Sequence, residues 1–309
     1  MIGSEEHAGQ GGGERPGTVA RMFLAAMRKH DRAAALLHHD GAKWRETPDW
    51  RFERQVIRLA LFLRDRARLV PGDRVAIVSG LRPESLVAEL AALTQGAVAV
   101  AIDPDLPAAD QRRAIEETSP AVAFVEDGAR EASFGARAVV CFQGKADGAW
   151  AFGEALDLGG TLDTPERAQS FRAQAREVPG DSRALGYLAG SDGQARCQFL
   201  THAEAVARMR ALRIGSPPRK GAVAQASASP TLAARLALLS FVLDGSTTCA
   251  VGMPGPEVAA LQPDWVVGPA GAPEPGRPAA PAPRRAGGRL LDRILAPFRS
   301  HGRELKLER

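Results

Sequence analysis

The segment from Tyr187 to His202 has the residue types of a phosphate-binding loop. Loops of this kind surround phosphate oxygens with backbone N–H groups, small hydroxyl side chains and a cation, and their glycines let the backbone approach the ligand closely. Gly190, Gly193, Ser191 and Arg196 are of these types, and Asp192 lies among them. The chemistry that these types would support is binding of a phosphorylated ligand.

Asp192 opposes this chemistry because it places an anion where the ligand carries negative charge. A carboxylate about 4 Å from a triphosphate charge costs on the order of 4 kcal/mol at an effective dielectric constant of about 20, or about a thousandfold in affinity. Arg196 keeps a cation in the loop, although a planar guanidinium and a compact ammonium are not interchangeable. A plain turn between a strand and a helix is favoured; a weakened nucleotide site and a fully active site stay open.

The same segment resembles the phosphate-binding loop of the adenylate-forming enzymes, the acyl-CoA synthetase and luciferase superfamily. The positions in register are Tyr187, Gly190, Ser191, Gly193, Leu200, Thr201 and His202, and the positions that depart are Leu188, Ala189, Asp192, Ala195, Arg196, Cys197 and Gln198. The resemblance implies a degenerate ATP-binding loop whose candidate nucleotide-binding residues are Tyr187, Gly190, Ser191, Asp192, Gly193 and Arg196. Segments 44–47, 71–78, 96–104 and 262–269 resemble further parts of the superfamily in the same order. The resemblance covers residues 18–269, is closest to the long-chain fatty acid–CoA ligase branch, and implies a truncated, degenerate front half of the large N-terminal domain.

The resemblance implies two classes of function. Full-length members hold adenine, ribose and metal, and supply a catalytic lysine, with segments beyond the part resembled here. We therefore expect a catalytically inactive binding or interaction module, and we assign no catalytic residue, metal ion or cofactor. The alternative is an ATP-dependent acyl-activating enzyme of the fatty acid–CoA ligase type, which would use ATP and Mg²⁺ and need a separately encoded second half. An eroding gene product without a selected function is a third, weaker alternative.

Three residues beside the loop have competing interpretations. By the resemblance, Thr201 and His202 lie near the acyl pocket and are acyl-pocket candidates. The plain interpretation makes Thr201 the N-cap of a helix and His202 its first residue, and both interpretations stay open. Cys197 next to Arg196 could be a reactive thiol, because a nearby cation lowers a thiol pKa, but a small packing cysteine is favoured.

No metal-binding pattern stands out in the sequence. Cys141, Cys197 and Cys249 are far apart and form no Cys-x-x-Cys or Cys/His spacing, which is typical of a reduced cytosolic protein. His38-His39-Asp40 could ligate a metal or supply a base. A hairpin turn at Asp40-Gly41 is the favoured interpretation.

Charge and hydropathy argue against two further classes of protein. The net charge is +4 and the pI is about 9.3, but acidic and basic residues are interspersed and aromatic residues make up only 5%, so we expect no nucleic-acid partner. No apolar run approaches the roughly 18 residues that span a bilayer. Residues 1–17 lack the residue order of a signal peptide. We expect a soluble, cytoplasmic protein.

Short apolar strands alternate with helical patterns along the chain. This alternation predicts an α/β fold with parallel-sheet layers covered by helices. The predicted helices are 18–30, 50–67, 83–94, 107–118, 203–213, 230–243 and 254–261. The predicted strands are 74–79, 96–102, 121–125, 136–142, 222–226 and 247–251, with a further one near Trp265.

The pattern divides the chain into four regions. Residues 1–17 are expected to be a disordered tail, 18–269 a partial AMP-binding-like α/β domain, 270–288 a Pro/Ala/Gly-rich linker and 289–309 a basic amphipathic helix. The apolar side of that helix comprises Leu290, Leu291, Ile294, Leu295 and Phe298. Its interpretations are packing on this protein or a partner, peripheral membrane contact, and residual family structure. We favour packing over membrane contact, and we expect a protein partner to cover the truncated face.

Overall fold

The computed structural model describes residues 17–39, 43–127, 135–189, 196–215, 222–226, 230–244, 247–251, 263–267 and 273–275. The helices in these ranges are α1 (Val19–Lys29), α2 (Asp49–Asp65), α3 (Pro83–Thr94), α4 (Ala108–Thr118), α5 (Phe152–Leu162), α6 (Pro165–Glu177), α7 (His202–Gly215) and α8 (Leu232–Asp244). The strands are β1 (Leu36–His39), β2 (Trp44–Thr47), β3 (Arg74–Val78), β4 (Val98–Ile102), β5 (Val122–Asp127), β6 (Ala138–Gln143), β7 (Trp150–Ala151), β8 (Arg183–Ala189), β9 (Arg196–Thr201), β10 (Ala222–Ala226), β11 (Thr247–Val251), β12 (Trp265–Val267) and β13 (Pro273–Pro275).

The described strands form two sheets. Sheet A has the order β13-β12-β10-β11-β1-β2, and sheet B has the order β7-β6-β5-β3-β4-β8-β9. Neighbouring strands are parallel except for β1–β2, β12–β13 and β8–β9, which are antiparallel pairs at sheet edges. The predicted α/β class, with layers of mostly parallel sheet covered by helices, is confirmed.

Sheet B packs a different apolar cluster on each of its faces. The first cluster contains Val75 of β3, residues of α2, α3 and α8, and Leu36 of sheet A, so it joins the two sheets. The second cluster contains Val100 of β4 and packs against Ile115 of α4. Strand β4 is buried at every position because it contributes to both clusters, which explains its uninterrupted apolar sequence.

Helices α2 and α5 approach each other closely where α5 has two glycines. A methyl group added at Gly159 would lie 2.6 Å from the carbonyl carbon of Arg58 in α2, and nearer still to its oxygen. At Gly160 the added methyl would lie 3.3 Å from the Arg58 guanidinium carbon. Asp163, just after α5, holds the same guanidinium with an N–O distance of 3.5 Å. Because Gly159 and Gly160 have no side chains, the backbone and the side chain of Arg58 can lie directly against α5.

Several elements differ from the sequence-based expectation. Helices α5 and α6 and strands β7 and β9 are absent from the predicted elements, and β13 lies within 270–288, where an aperiodic linker is expected. Strand β8 corresponds to the strand expected before the loop, for which no bounds are predicted. The other described helices and strands match predictions, with ends that shift by a few residues. Strands β1 and β2 confirm the hairpin expected around Asp40-Gly41.

Some predictions fall outside the described residues. They are the tail up to residue 16, the helix 254–261, and the amphipathic helix 289–309 with its packing or membrane contact. These stay predictions. Within the described ranges, no helix has the length and apolar character needed to cross a membrane.

Candidate functional site

The candidate segment, Tyr187 to His202, includes most of a β-hairpin formed by the described strands β8 and β9. The two strands pair antiparallel from Arg183 opposite Thr201 to Ala189 opposite Arg196. The hairpin corrects the plain turn between a strand and a helix, because Arg196–Thr201 is itself a strand. Gly190, Ser191, Asp192 and Gly193 lie outside the described residues, so their predicted contacts with phosphate stay predictions.

Tyr187 anchors the hairpin just before the loop. Its hydroxyl group donates a hydrogen bond to Gln198 Oε1 at 2.9 Å, directly across the hairpin. Its side chain also packs against the first apolar cluster, which joins the two sheets. The structure therefore gives Tyr187 a role in joining β8 to β9, and its hydroxyl group already has a partner.

Arg196, the candidate cation of the loop, faces a carboxylate. Its Nη1 lies 3.8 Å from Glu117 Oε1 at the end of α4, and its side chain is 76% exposed. The other oxygen of Glu117 accepts a hydrogen bond from the backbone N–H of Cys197 at 3.2 Å. The hydrogen bond from Cys197 N–H therefore holds Glu117 against β9. The ion pair with Arg196 is exposed, and such a pair contributes roughly 0 to 1 kcal/mol to stability. Sequence reasoning missed Glu117, because its contact with the hairpin joins residues far apart in the chain.

Cys197 packs at the base of the hairpin. The thiol is half-buried against the cluster under α4. Burial raises its pKa, with a smaller contribution from the Glu117 carboxylate, while a hydrogen bond with Thr118 acts in the opposite direction. A raised thiol pKa leaves little thiolate at neutral pH. The packing interpretation of Cys197 is therefore the one that this environment favours.

Thr201 caps helix α7. Its backbone N–H and its hydroxyl group both donate to Glu204 Oε2, at 2.8 and 3.0 Å, and Glu204 N donates back to Thr201 Oγ1 at 3.2 Å. These reciprocal bonds form a capping box, and they hold the pKa of Glu204 below its ordinary value. The Thr-x-x-Glu spacing was readable in the sequence as the signal for this cap. The acyl-pocket assignment of Thr201 and His202 stays a prediction.

His202, the first residue of α7, is fully buried. Its backbone N–H donates to Ser182 O at 3.0 Å, its exposed fraction is 0%, and neither ring nitrogen has a hydrogen-bond partner within the described ranges. Burial lowers its pKa from 6.5 to about 4, and the nearby charge of Arg21 contributes in the same direction. His202 is therefore a neutral core side chain at physiological pH.

The buried ring predicts a loss of stability in mild acid. Because the folded pKa of about 4 is lower than the unfolded value of 6.5, the unfolded chain binds the proton more tightly. The contribution of His202 to the free energy of unfolding should be fully present well above pH 6.5 and should fall by about 3 kcal/mol as the pH drops to 4. Urea unfolding at several pH values measures this slope.

The matched variant for this measurement is His202→Phe, which fills the site without a titrating group. The difference between its pH profile and that of the wild-type protein isolates His202 from the carboxylates that titrate in the same range. Parallel profiles between pH 4 and 6.5 would show that His202 is accessible to protons in the folded state.

The two histidines of the first hairpin have structural contacts. The His39 ring packs edge-on against Trp44, with ring centres 5.2 Å apart, and His38 Nδ1 lies 3.4 Å from the carbonyl oxygen of Val251. The described residues contain no group of three or more His, Cys, Asp or Glu side chains that could hold a metal ion. The candidate site consists of the three parts described above, which are the β8–β9 hairpin, the end of α4 with Glu117, and the start of α7.

Comparison with known proteins identifies a family to which this chain is similar. The family model described as AMP-binding enzyme matches residues 25–262. The medium/long-chain-fatty-acid acyl-carrier-protein ligase FadD10 of Mycobacterium tuberculosis is 34% identical over 120 residues, which are 38% of this chain and 21% of that protein. The chain therefore spans about a fifth of the length of this curated relative.

Solved structures share the fold. An acetoacetyl-CoA synthetase from Streptomyces lividans superposes with a TM-score of 0.63 at 21% identity, over 79% of this chain and 40% of that chain. A luciferase-like enzyme from the Zophobas morio mealworm superposes with a TM-score of 0.65 at 17% identity, over 79% of this chain and 56% of that chain. The solved structures agree with this chain in overall fold. The family model covers residues 25–262, which is more than half of the sequence, and the chain therefore belongs to the family of AMP-binding enzymes.

Proposed function

We propose that this chain is a member of the AMP-binding family that does not adenylate a substrate and acts as a binding or interaction module. The observation that supports the proposal is the 3.8 Å approach of Glu117 to Arg196, the candidate cation of the phosphate loop. A triphosphate at this loop would have to compete with that carboxylate for the guanidinium. Asp192, within the loop sequence, adds a second negative charge.

The electrostatic cost of these two carboxylates supports the proposal, because it opposes tight binding of a triphosphate. One carboxylate about 4 Å from a phosphate charge costs about 1 kcal/mol in water and about 4 kcal/mol at an effective dielectric constant of about 20. Arg196 is largely exposed, so solvent weakens its compensating attraction. We therefore expect the wild-type chain to bind magnesium-ATP only weakly.

Calorimetric titration with magnesium-ATP tests this proposal. The wild-type chain should give no binding heat at millimolar nucleotide. The double variant Asp192→Thr with Glu117→Gln removes both charges and retains an acceptor for the Cys197 N–H, so its affinity should rise by at least about tenfold. Glu116→Gln is the matched control for the Glu117→Gln change, because it removes one charge from the neighbouring, exposed position on α4. Micromolar binding by the wild-type chain, lost in Arg196→Ala, would refute the proposal.

Exchange of pyrophosphate into ATP tests the absence of catalysis separately. The wild-type chain should show no exchange above a heat-inactivated sample with any fatty acid supplied. Exchange well above that background would assign an adenylation activity to the chain itself.

A second candidate function is an ATP-dependent acyl-activating enzyme of the fatty acid–CoA ligase type, completed by a separately encoded second half. The similarity to a medium/long-chain-fatty-acid ligase over 120 residues favours it. In this case ATP and Mg²⁺ would bind to the folded chain, and saturation at 100 times the dissociation constant would add about 2.7 kcal/mol to its stability. An unchanged melting temperature in millimolar magnesium-ATP, with and without the second half, would exclude it.

A further inference from the structure

A buried ion pair lies between the two sheets, behind the β8–β9 hairpin. Arg235 of α8 and Glu89 of α3 are 1% and 5% exposed. The guanidinium donates two hydrogen bonds to the carboxylate, from Nε to Oε2 at 3.2 Å and from Nη2 to Oε1 at 3.0 Å. Such paired bonds fix the plane of the guanidinium as well as its position.

The same guanidinium also bonds to two neighbouring strands of sheet B. Nη1 donates to the carbonyl oxygen of Gly186 in β8 at 2.7 Å, and Nη2 donates to that of Ala99 in β4 at 3.0 Å. Arg235 therefore connects β4 and β8 with one rigid group. Each of these bonds joins residues separated by 49 or more positions in the sequence.

The bonds from Arg235 lie at the junction of the hairpin with the rest of sheet B. Strands β4 and β8 pair in parallel at Ala99–Leu185 and Val100–Gly186, and β8 pairs on its other side with β9. The two carbonyl groups that Arg235 bonds, Ala99 and Gly186, belong to these paired residues. The guanidinium therefore adds side-chain hydrogen bonds to both strands where they pair.

Gly186 allows the close approach that this junction needs. A methyl group added there would lie 2.7 Å from Val100 Cγ2 and 3.2 Å from Phe199 Cε1. The absence of a side chain lets β8 lie close to β4. It also brings the Gly186 carbonyl group within reach of Arg235.

We propose that Arg235, held in place by Glu89, is a positioning residue that fixes strands β8 and β9 of the hairpin against the rest of sheet B. Buried ion pairs seldom stabilise a fold more than apolar side chains of the same volume. An apolar pair could fill this space, but only a guanidinium can bond both carbonyl groups. The proposal goes beyond the proposed function, because it holds whatever ligand or partner the hairpin binds.

The double variant Glu89→Leu with Arg235→Met separates positioning from stability. It removes both charges and retains apolar volume, so the rest of the fold should keep its hydrogen-exchange protection. Peptides from β8 and β9 should exchange at least about tenfold faster than in the wild-type chain, because the hairpin can open locally. Mass spectrometry on the full chain measures both regions in one experiment.

A second readout uses Tyr187, the one tyrosine in the sequence. Incorporation of 3-fluorotyrosine gives a single fluorine resonance that reports the hairpin alone. In the double variant this resonance should broaden or move toward its position in the unfolded chain. In the matched control, Arg213→Met with Asp244→Leu, which removes an ion pair between α7 and α8, it should stay at the wild-type position.

Two outcomes would overturn the proposal. Exchange in β8 and β9 within twofold of the wild-type rate, with an unchanged fluorine resonance, would show that the pair only fills space. Equal acceleration in all regions would show that it only stabilises the whole fold. If the double variant does not fold, Arg235→Lys gives the same test, since an ammonium can pair with Glu89 but cannot also reach both carbonyl groups, and selective acceleration in the hairpin is again expected.

Discussion

Replacing Gly159 by alanine is expected to lower the free energy of unfolding by about 3 kcal/mol or more. The added methyl group would overlap the backbone carbonyl group of Arg58 in α2, with 2.6 Å to the carbon. A backbone group cannot change rotamer to avoid the clash, so α2 and α5 must move apart. That movement disrupts the first apolar cluster, in which Phe62 of α2 and Phe152 of α5 are buried. Urea unfolding measures the loss.

The matched control is Gly153→Ala in the same helix. A methyl group at Gly153 would have no other atom within 4 Å, so this variant should have wild-type stability or gain up to about 1 kcal/mol from helix propensity. A difference of less than 1 kcal/mol between the two variants would contradict the close packing of α2 on α5.

Glu89→Leu alone should cost about 3 to 5 kcal/mol, because it leaves the Arg235 guanidinium buried without its counter-charge. The carbonyl groups of Gly186 and Ala99 accept hydrogen bonds from two guanidinium nitrogens, but they do not neutralise its charge. Leucine retains most of the volume of glutamate, so the loss reports electrostatics more than packing. Chemical unfolding at neutral pH measures it.

The second substitution, Arg235→Met, should restore most of the stability that Glu89→Leu removes. Recovery in the double variant would identify the unpaired buried charge as the cause of the loss. If the double variant is as unstable as the single one, the cost would instead lie in lost packing between α3 and α8.

The alternation of helices and strands was predictable because each element carries its own local pattern. Strand β4 is apolar throughout since both of its faces are buried, and α2 presents Phe52, Val56 and Leu63 to the core at helical spacing. Patterns of this kind depend on neighbours in sequence. They are the reason that the described parts of both sheets follow the expected order of elements.

Helix α5 was missed because its own sequence argues against a helix. Gly159 and Gly160 lower intrinsic helix propensity near the end of the element, and their value appears only when Arg58 of α2 lies against them. Tertiary packing overrides propensity here. The same limit applies to strand β9, where Arg196 and Gln198 read as a polar loop until β8 pairs beside them.

Within the candidate site, contacts between residues close in sequence were predictable, and contacts between residues far apart in sequence were not. Thr201 caps helix α7 through hydrogen bonds with Glu204, three positions later in the chain, and this spacing is a local signal that a sequence contains. The contact of Glu117 with the hairpin spans 80 positions, and the Arg235–Glu89 pair spans 146. No local sequence pattern indicates contacts between residues so far apart in the chain. The residues that set the charge around the hairpin can therefore be identified only from the structure.

The Arg235–Glu89 pair also has a thermal consequence. Hydration of charged groups becomes less favourable as water warms, so the penalty for keeping an arginine and a glutamate dry diminishes on heating. Apolar burial gains no comparable advantage over the same interval. Warming should consequently leave the seam between β4 and β8 among the later contacts to loosen.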